Sequence, residues 1–243
     1  MNKTSLKILG VRIDRVNYWN KILSYLDQNK LAFISTPNPE IILKAQKDPQ
    51  YLKILNSTSL NIPDGTGLVL AALIHGKIIR RFTGADLLPK LLSKAERMTC
   101  RVLILNWHKG LSSKHDIEKV LKNLWPELEL LVIDIEREEK LSRTIGSDIT
   151  DYAPDIVINN LGAPWQEKII YSNVELFSKV RLAIGLGGAI DFITNKRKRA
   201  PKIFINLGLE WLYRLFEQKK INRIIQAVIV FPWLLIKNYG RKY

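Results

Sequence analysis

One cysteine, Cys100, stands in 243 residues, so no internal disulfide can form and the composition fits a reducing compartment. The three histidines, His75, His108 and His115, have no cysteine or carboxylate arrangement at metal-ligand spacing, which predicts no zinc site. There is no Gly-x-Ser-x-Gly elbow, and Cys100 sits just before an apolar run, so nucleophilic catalysis has little support. Long apolar runs are missing as well. Residues 224–236 are nearly all apolar but hold Pro232, and they fall short of the ~20 residues that cross a bilayer. The opening residues lack the apolar core of a signal peptide, and no internal repeat, low-complexity tract or flexible linker appears.

What is present is a hydrophobic content of 47%, enough for a sizeable core, and a net charge of +15. The charge is uneven. Residues 196–243 carry twelve Lys/Arg against two Glu, a surplus of ten in the last fifth of the chain. Such clustering suggests an anionic partner: a membrane surface, a phosphate-bearing ligand or nucleic acid. No recognition helix, zinc finger or RNA-binding motif accompanies it, which argues against nucleic acid.

Short β-branched or leucine runs recur along the chain, at residues 31–35, 101–105, 128–133, 155–159 and 180–184, with helical segments between them. Apolar strands separated by helices predict an α/β fold with a mostly parallel, Rossmann-like sheet flanked by helices. Residues 6–13 read as a strand broken at Gly10, and residues 16–26, 40–46, 51–55 and 87–97 as helices. Residues 68–74 read as a buried helix. After Arg199-Ala200-Pro201 the alternation stops. We therefore divide the chain into a catalytic unit over residues 1–199 and a basic, helical, membrane-associating appendage over residues 200–243. Within it, residues 207–216 read as an amphipathic helix. Residues 224–236 fit a segment lying on a membrane and a core helix equally well.

Two strand ends draw attention, because ligands in open α/β sheets collect where strands end and helices begin. Thr36-Pro37-Asn38-Pro39 follows one, and Pro63-Asp64-Gly65 the other. A carboxylate held beside a glycine turn can act as a general base for a hydroxyl, although Pro-Asp-Gly is equally a common turn. Thr36 and Asn38 can bind ligand or merely cap a helix. Gln166, in the first turn of a helix after Asn160-Leu161-Gly162-Ala163-Pro164, can bind a sugar hydroxyl or phosphate. The turn Gly185-Leu186-Gly187-Gly188-Ala189 can cradle a phosphate through its N–H groups, a weak signal by itself. Asp191 reads as a structural carboxylate, and Arg80 and Arg81 as phosphate ligands or surface ion-pair partners.

These pieces occur in one order. They are Thr36-Pro37-Asn38, Pro63-Asp64-Gly65, Arg81-Phe82-Thr83-Gly84-Ala85-Asp86-Leu87, Leu161-Gly162-Ala163-Pro164-Trp165-Gln166-Glu167-Lys168, Gly185-Leu186-Gly187-Gly188 and Arg199-Ala200-Pro201. With Gly208-Leu209-Glu210-Trp211-Leu212-Tyr213-Arg214-Leu215 they resemble the WecG/TagA/CpsF glycosyltransferases, over about residues 6 to 223. Two stretches depart from that pattern. Leu105-Asn106-Trp107-His108-Lys109-Gly110 stands where relatives usually carry a glycine-rich turn, and Asn195 replaces a usual glycine.

The resemblance implies an inverting enzyme of bacterial surface-polymer or teichoic acid synthesis, working without an obligatory metal or other cofactor. It would move an N-acetylmannosamine-type sugar from a UDP-sugar donor to a polyprenyl-diphosphate-linked sugar at the inner face of the cell membrane. Asp64 matches the family's proposed base. Thr36, Asn38, Arg81 and Gln166 fall on positions used around substrate, with Gly187 and Gly188 in the glycine turn. Arg214 and Arg223 match appendage arginines, and Lys220 stands where an arginine is usual. Arg81 and these tail cations are the expected partners of the departing UDP. A homo-oligomer stays open. So does a different class of protein, a catalytically silent membrane-surface scaffold of the same fold, which the altered loop favours and the intact Asp64, Arg81 and Gln166 oppose.

Overall fold

The computed structural model describes residues 4–206, 213 and 225–238. It opens with a hairpin, β1 (Ser5–Ile8) and β2 (Val11–Asp14), where the sequence suggests one broken strand. Leu9 and Gly10 both take positive φ, 47° and 78°, so the break at Gly10 is a two-residue turn that reverses the chain. Helix α1 (Tyr18–Leu26) follows, capped by the Asn17 side chain. Then come β3 (Ala32–Ser35), α2 (Pro39–Lys47), α3 (Pro49–Ser57), β4 (Leu60–Asn61), α4 (Thr66–Ile74) and α5 (Gly84–Arg97). The rest alternates: β5 (Val102–Trp107), α6 (Lys114–Leu124), β6 (Leu130–Ile135), α7 (Arg143–Tyr152), β7 (Ile156–Asn159), α8 (Trp165–Ser172), β8 (Leu182–Gly185), α9 (Ala189–Ile193) and α10 (Lys202–Asn206). A π-helical turn at Ile225–Val230 leads into α11 (Phe231–Lys237).

Six strands form one parallel sheet in the order β4-β3-β8-β7-β5-β6, which bears out the α/β reading. From β3 the chain runs outward to β4 and crosses to β5 and β6. It then fills in β7 and β8 between them. Alternation along each strand divides the core. Val102 and Ile104 of β5 face α1, α5 and α6, whereas Leu103 and Leu105 face α3, α7 and α8. Both faces are covered, so the strands read as continuous apolar runs.

A third cluster joins the hairpin to α2, α4 and α11. Here a sequence expectation needs correction. Residues 68–74 are not buried all round: Leu68, Ala71 and Ala72 pack inward, but Leu70, Leu73 and Ile74 are exposed. α4 lies on the outside of the hairpin cluster, so only one of its faces meets protein. Residues 224–236 likewise divide by face. Phe231 and Leu235, one helical turn apart, are buried in this cluster, while Trp233 and Ile236 are 56% and 70% exposed. Pro232 lies in the first turn of α11, directly after the π-helical turn. The expected helix at 207–216 lies outside the described residues, apart from Tyr213. Asn195 adopts a left-handed backbone, φ 57°, which asparagine tolerates.

Candidate active site

Loops at the carboxyl ends of β3, β4, β6, β7 and β8 surround a polar cleft of about 280 Å³. Thr36, Asn38, Asp64, Gln166, Gly187 and Gly188 all line it. Six of the residues singled out in the sequence thus lie around one cleft. Arg81 is not among the lining residues; its guanidinium donates to the carbonyl of Ile205 (3.2 Å). Arg214, Lys220 and Arg223 lie outside the described residues.

Asp64 is held by its backbone, whose N–H donates to the Pro37 carbonyl (2.8 Å) and so ties the two strand-end loops together. Gly65 beside it takes φ 101° and ψ 149°, a conformation essentially restricted to glycine. Gly65→Ala is expected to cost about 1–3 kcal/mol of stability in a thermal melt. Asn38 caps α2, its Oδ1 accepting from the Ile41 N–H (2.9 Å). The capping reading of Asn38 is thus true, and it also fixes the residue on the cleft wall.

The glycine turn after β8 is gripped from two sides. The Thr36 hydroxyl donates to the Gly185 carbonyl (2.9 Å), and the Gly187 N–H donates to Gln166 Oε1 (2.8 Å). A Cβ on Gly185 would come within 2.7 Å of the Gln166 amide, so glycine is needed for this approach. The Gly187 N–H is consequently engaged by protein. At Gly188 a Cβ would meet Arg197 Nη1 at 2.5 Å, so the missing side chain lets a cleft-lining guanidinium lie against the turn. Arg197 also pairs with Asp191 (3.3 Å), and the other oxygen of Asp191 accepts from the buried Ser112 hydroxyl (2.8 Å). Asp191 is structural, as expected, and pins the loop after β5 to α9.

That loop, with the end of β5, holds residues 105–110, the stretch at which the sequence departs from the resemblance. Gly110 N–H closes it onto the Trp107 carbonyl (2.7 Å), and Asn106 donates to Ser112 O and Asp134. Its product is a platform. The Arg137 guanidinium, from the loop after β6, lies 3.4 Å from the centroid of the Trp107 ring, and Arg137 Nε donates to Leu161 O (2.9 Å). Arg137 lines the cleft, burial lowers its pKa, and among the described residues no carboxylate pairs with it. Sequence reading passed over Arg137, Arg197 and Lys44, which also line the cleft. Arg137 follows a strand end, so the rule that found Asp64 could have found it.

Arg81-Phe82-Thr83-Gly84-Ala85-Asp86 and Arg199-Ala200-Pro201, far apart in the chain, meet in the fold. Thr83 caps α5 and donates to Asp86 Oδ2 (2.7 Å), while Arg199 pairs with Asp86 Oδ1. Burial opposes ionisation of Asp86, yet the hydrogen bonds from Arg199 and Thr83 and the nearby arginine charges hold its pKa below the ordinary value. This bridge fixes the start of α5, whose Thr83, Gly84 and Ala85 line the cleft.

The model of the Glycosyl transferase WecG/TagA/CpsF family matches residues 6–243. The chain belongs to that family. A relative from Bacillus spizizenii is 38% identical over 219 residues, covering 88% of this chain and 82% of the relative. One from Bacillus subtilis is 36% identical over 194 residues, 79% and 73% of the two chains. One from Staphylococcus aureus is 28% identical over 246 residues, 97% and 94%. All three are named N-acetylglucosaminyldiphosphoundecaprenol N-acetyl-beta-D-mannosaminyltransferase. As a WecG/TagA/CpsF chain the protein is a glycosyltransferase.

Proposed function

We propose that the chain transfers N-acetylmannosamine from a UDP-sugar to an N-acetylglucosaminyl-diphosphate-polyprenol acceptor, in the synthesis of a cell-surface polymer. The observation that carries this reading is that Asp64 and the clamped glycine turn face one cleft at the carboxyl ends of a parallel sheet. Asp64 accepts the proton of the acceptor hydroxyl as that oxygen attacks the donor anomeric carbon from the face opposite UDP. The C–O bond to the diphosphate breaks as the new one forms, and UDP departs with the electron pair. Arg197 beside Gly188 neutralises that charge within the described residues, with Arg81 and the tail cations Arg214, Lys220 and Arg223 as the further candidates. The anomeric configuration of the product, read by NMR, tests the mechanism: inversion is expected, and retention overturns direct attack.

Strand order supports one direction for the donor. Asp64 follows β4 at one edge of the sheet and Arg137 follows β6 at the other, so a sugar at Asp64 leaves the nucleotide reaching toward Arg137. Arg137→Ala is expected to weaken UDP binding about tenfold, or ~1.4 kcal/mol, in a calorimetric titration. Unchanged affinity would remove Arg137 from the donor site.

The acceptor is a lipid, and we place the enzyme peripherally on the cytoplasmic face of the membrane. Among the described residues, no helix is long and apolar enough to cross a membrane. The outer face of the C-terminal segment exposes Val228, Ile229, Trp233 and Ile236, and Lys237 Nζ sits 4.7 Å from the Trp233 ring centroid. An exposed apolar face edged by cations suits an anionic lipid surface.

A further inference from the structure

Beneath the cleft lies a carboxylate that the transfer mechanism does not use. Glu167, next to Gln166 at the start of α8, is wholly buried. Three donors meet it. Gln166 Nε2 (2.7 Å) and the Ser35 hydroxyl (3.1 Å) reach Oε1, and the Tyr51 hydroxyl (2.8 Å) reaches Oε2. Burial raises its pKa, and the hydrogen bonds from Gln166, Tyr51 and Ser35 oppose that rise. A carboxylate in such a place is costly unless its hydrogen bonds serve a purpose.

We propose that Glu167 is a positioning residue that sets the orientation of the Gln166 amide and, through it, the glycine turn of the donor site. The reasoning is a polarity chain. An ionised carboxylate only accepts, so the Gln166 NH₂ must face it. The Gln166 oxygen is thereby turned to the other side, where the Gly187 N–H donates to it at 2.8 Å. With the amide reversed, NH₂ would face N–H and the turn would lose its grip on that side. Ser35 precedes Thr36, which holds the same turn through Gly185 O, so the Glu167 carboxylate also bears on the second clamp. Ser35, Tyr51 and Glu167 come from β3, α3 and α8, and meet only in the folded chain.

This inference rests on the reading of the turn as part of the donor site, and its test separates the two. Glu167→Gln keeps the shape but offers Gln166 an amide that can donate or accept, so residue 167 no longer dictates the amide orientation and only the Gly187 N–H is left to hold it. The full-length variant is expected to raise the KM for the UDP-sugar about tenfold, equivalent to ~1.4 kcal/mol. Its Gly187 amide is expected to exchange hydrogen faster than in the wild type. The exchange of the double variant Gln166→Glu/Glu167→Gln is the decisive comparison. There the two side chains trade roles: a carboxylate faces the Gly187 N–H, and the amide at position 167 donates to it and to the Ser35 hydroxyl, which turns to accept, while its oxygen accepts from Tyr51. Protection at Gly187 is expected to return. Tyr51→Phe serves as the control, since it removes a buried hydrogen bond and lowers stability without touching the Gln166 pair; its Gly187 protection is expected to match the wild type. Wild-type protection at Gly187 in Glu167→Gln, or no restoration in the double variant, overturns the positioning role. Loss of protection in Glu167→Gln with an unchanged KM would leave Glu167 holding the turn but overturn its bearing on the donor. A wild type that neither binds UDP nor transfers sugar would contradict the functional reading instead, while the exchange data still decide the positioning claim.

Discussion

Asp64→Asn is expected to lower turnover by roughly a hundredfold or more, the usual cost of removing a general base. The substitution preserves shape, and the backbone features that hold the residue survive it. The Asp64 N–H still donates to Pro37 O, and Gly65 still supplies the positive φ on which the turn depends. Folding should therefore be intact, and the thermal midpoint within a few degrees of the wild type. Donor affinity should also hold, because the nucleotide is expected to bind through the glycine turn, Arg197 and Arg137. The loss belongs in kcat, with little change in the donor KM. Near-normal turnover would remove Asp64 as the base and return Pro63-Asp64-Gly65 to the status of a plain turn.

The second large effect concerns the two faces of the C-terminal segment. Phe231 is 1% exposed and packs with the hairpin, α2 and α4. Phe231→Ala is expected to destabilise the protein by about 3–5 kcal/mol, the range for a large aromatic removed from a core. Ile229 and Ile236 are 62% and 70% exposed, so the double variant Ile229→Glu/Ile236→Glu should melt like the wild type. At about 1.5–3 kcal/mol for each buried side chain, however, losing both should lower affinity for anionic vesicles by more than about a hundredfold. Vesicle co-sedimentation beside a melting curve separates the effects. A double variant that still sediments with vesicles would show that this face is not the lipid contact. Together the variants also explain why residues 224–236 fit a core helix and a membrane segment equally well: Phe231 and Leu235 answer to the first, Trp233 and Ile236 to the second.

Much of this architecture is legible in the sequence because it is local. A β-branched run followed by Pro-Asn-Pro or Pro-Asp-Gly marks a strand end and a cap within a few residues. Asp48 shows it well: it precedes Pro49 and caps α3 through the Tyr51 N–H, where the sequence shows a helix break. The parallel sheet and the gathering of Thr36, Asn38, Asp64 and Gln166 follow from such signals. What is not legible is juxtaposition across the fold. Ser35 and Tyr51 reach Glu167 from 132 and 116 residues away, so nothing local distinguishes Glu167 from an ordinary first-turn glutamate. The sequence likewise suggests that Gln166 binds ligand, whereas both ends of its amide are engaged by protein. Exposure is hidden in the same way. The composition of α4 is apolar after Thr66, and only the docking of one face on the hairpin leaves Leu70 and Leu73 outside.

The most direct measurement is UDP release from UDP-N-acetylmannosamine, with and without a short-chain polyprenyl-diphosphate-N-acetylglucosamine acceptor. Release that depends on the acceptor, and collapses in Asp64→Asn, is the expected result. Absence of release from the folded, vesicle-bound wild type, or release indifferent to the acceptor, would contradict the assignment of this cleft to sugar transfer onto a lipid-linked acceptor.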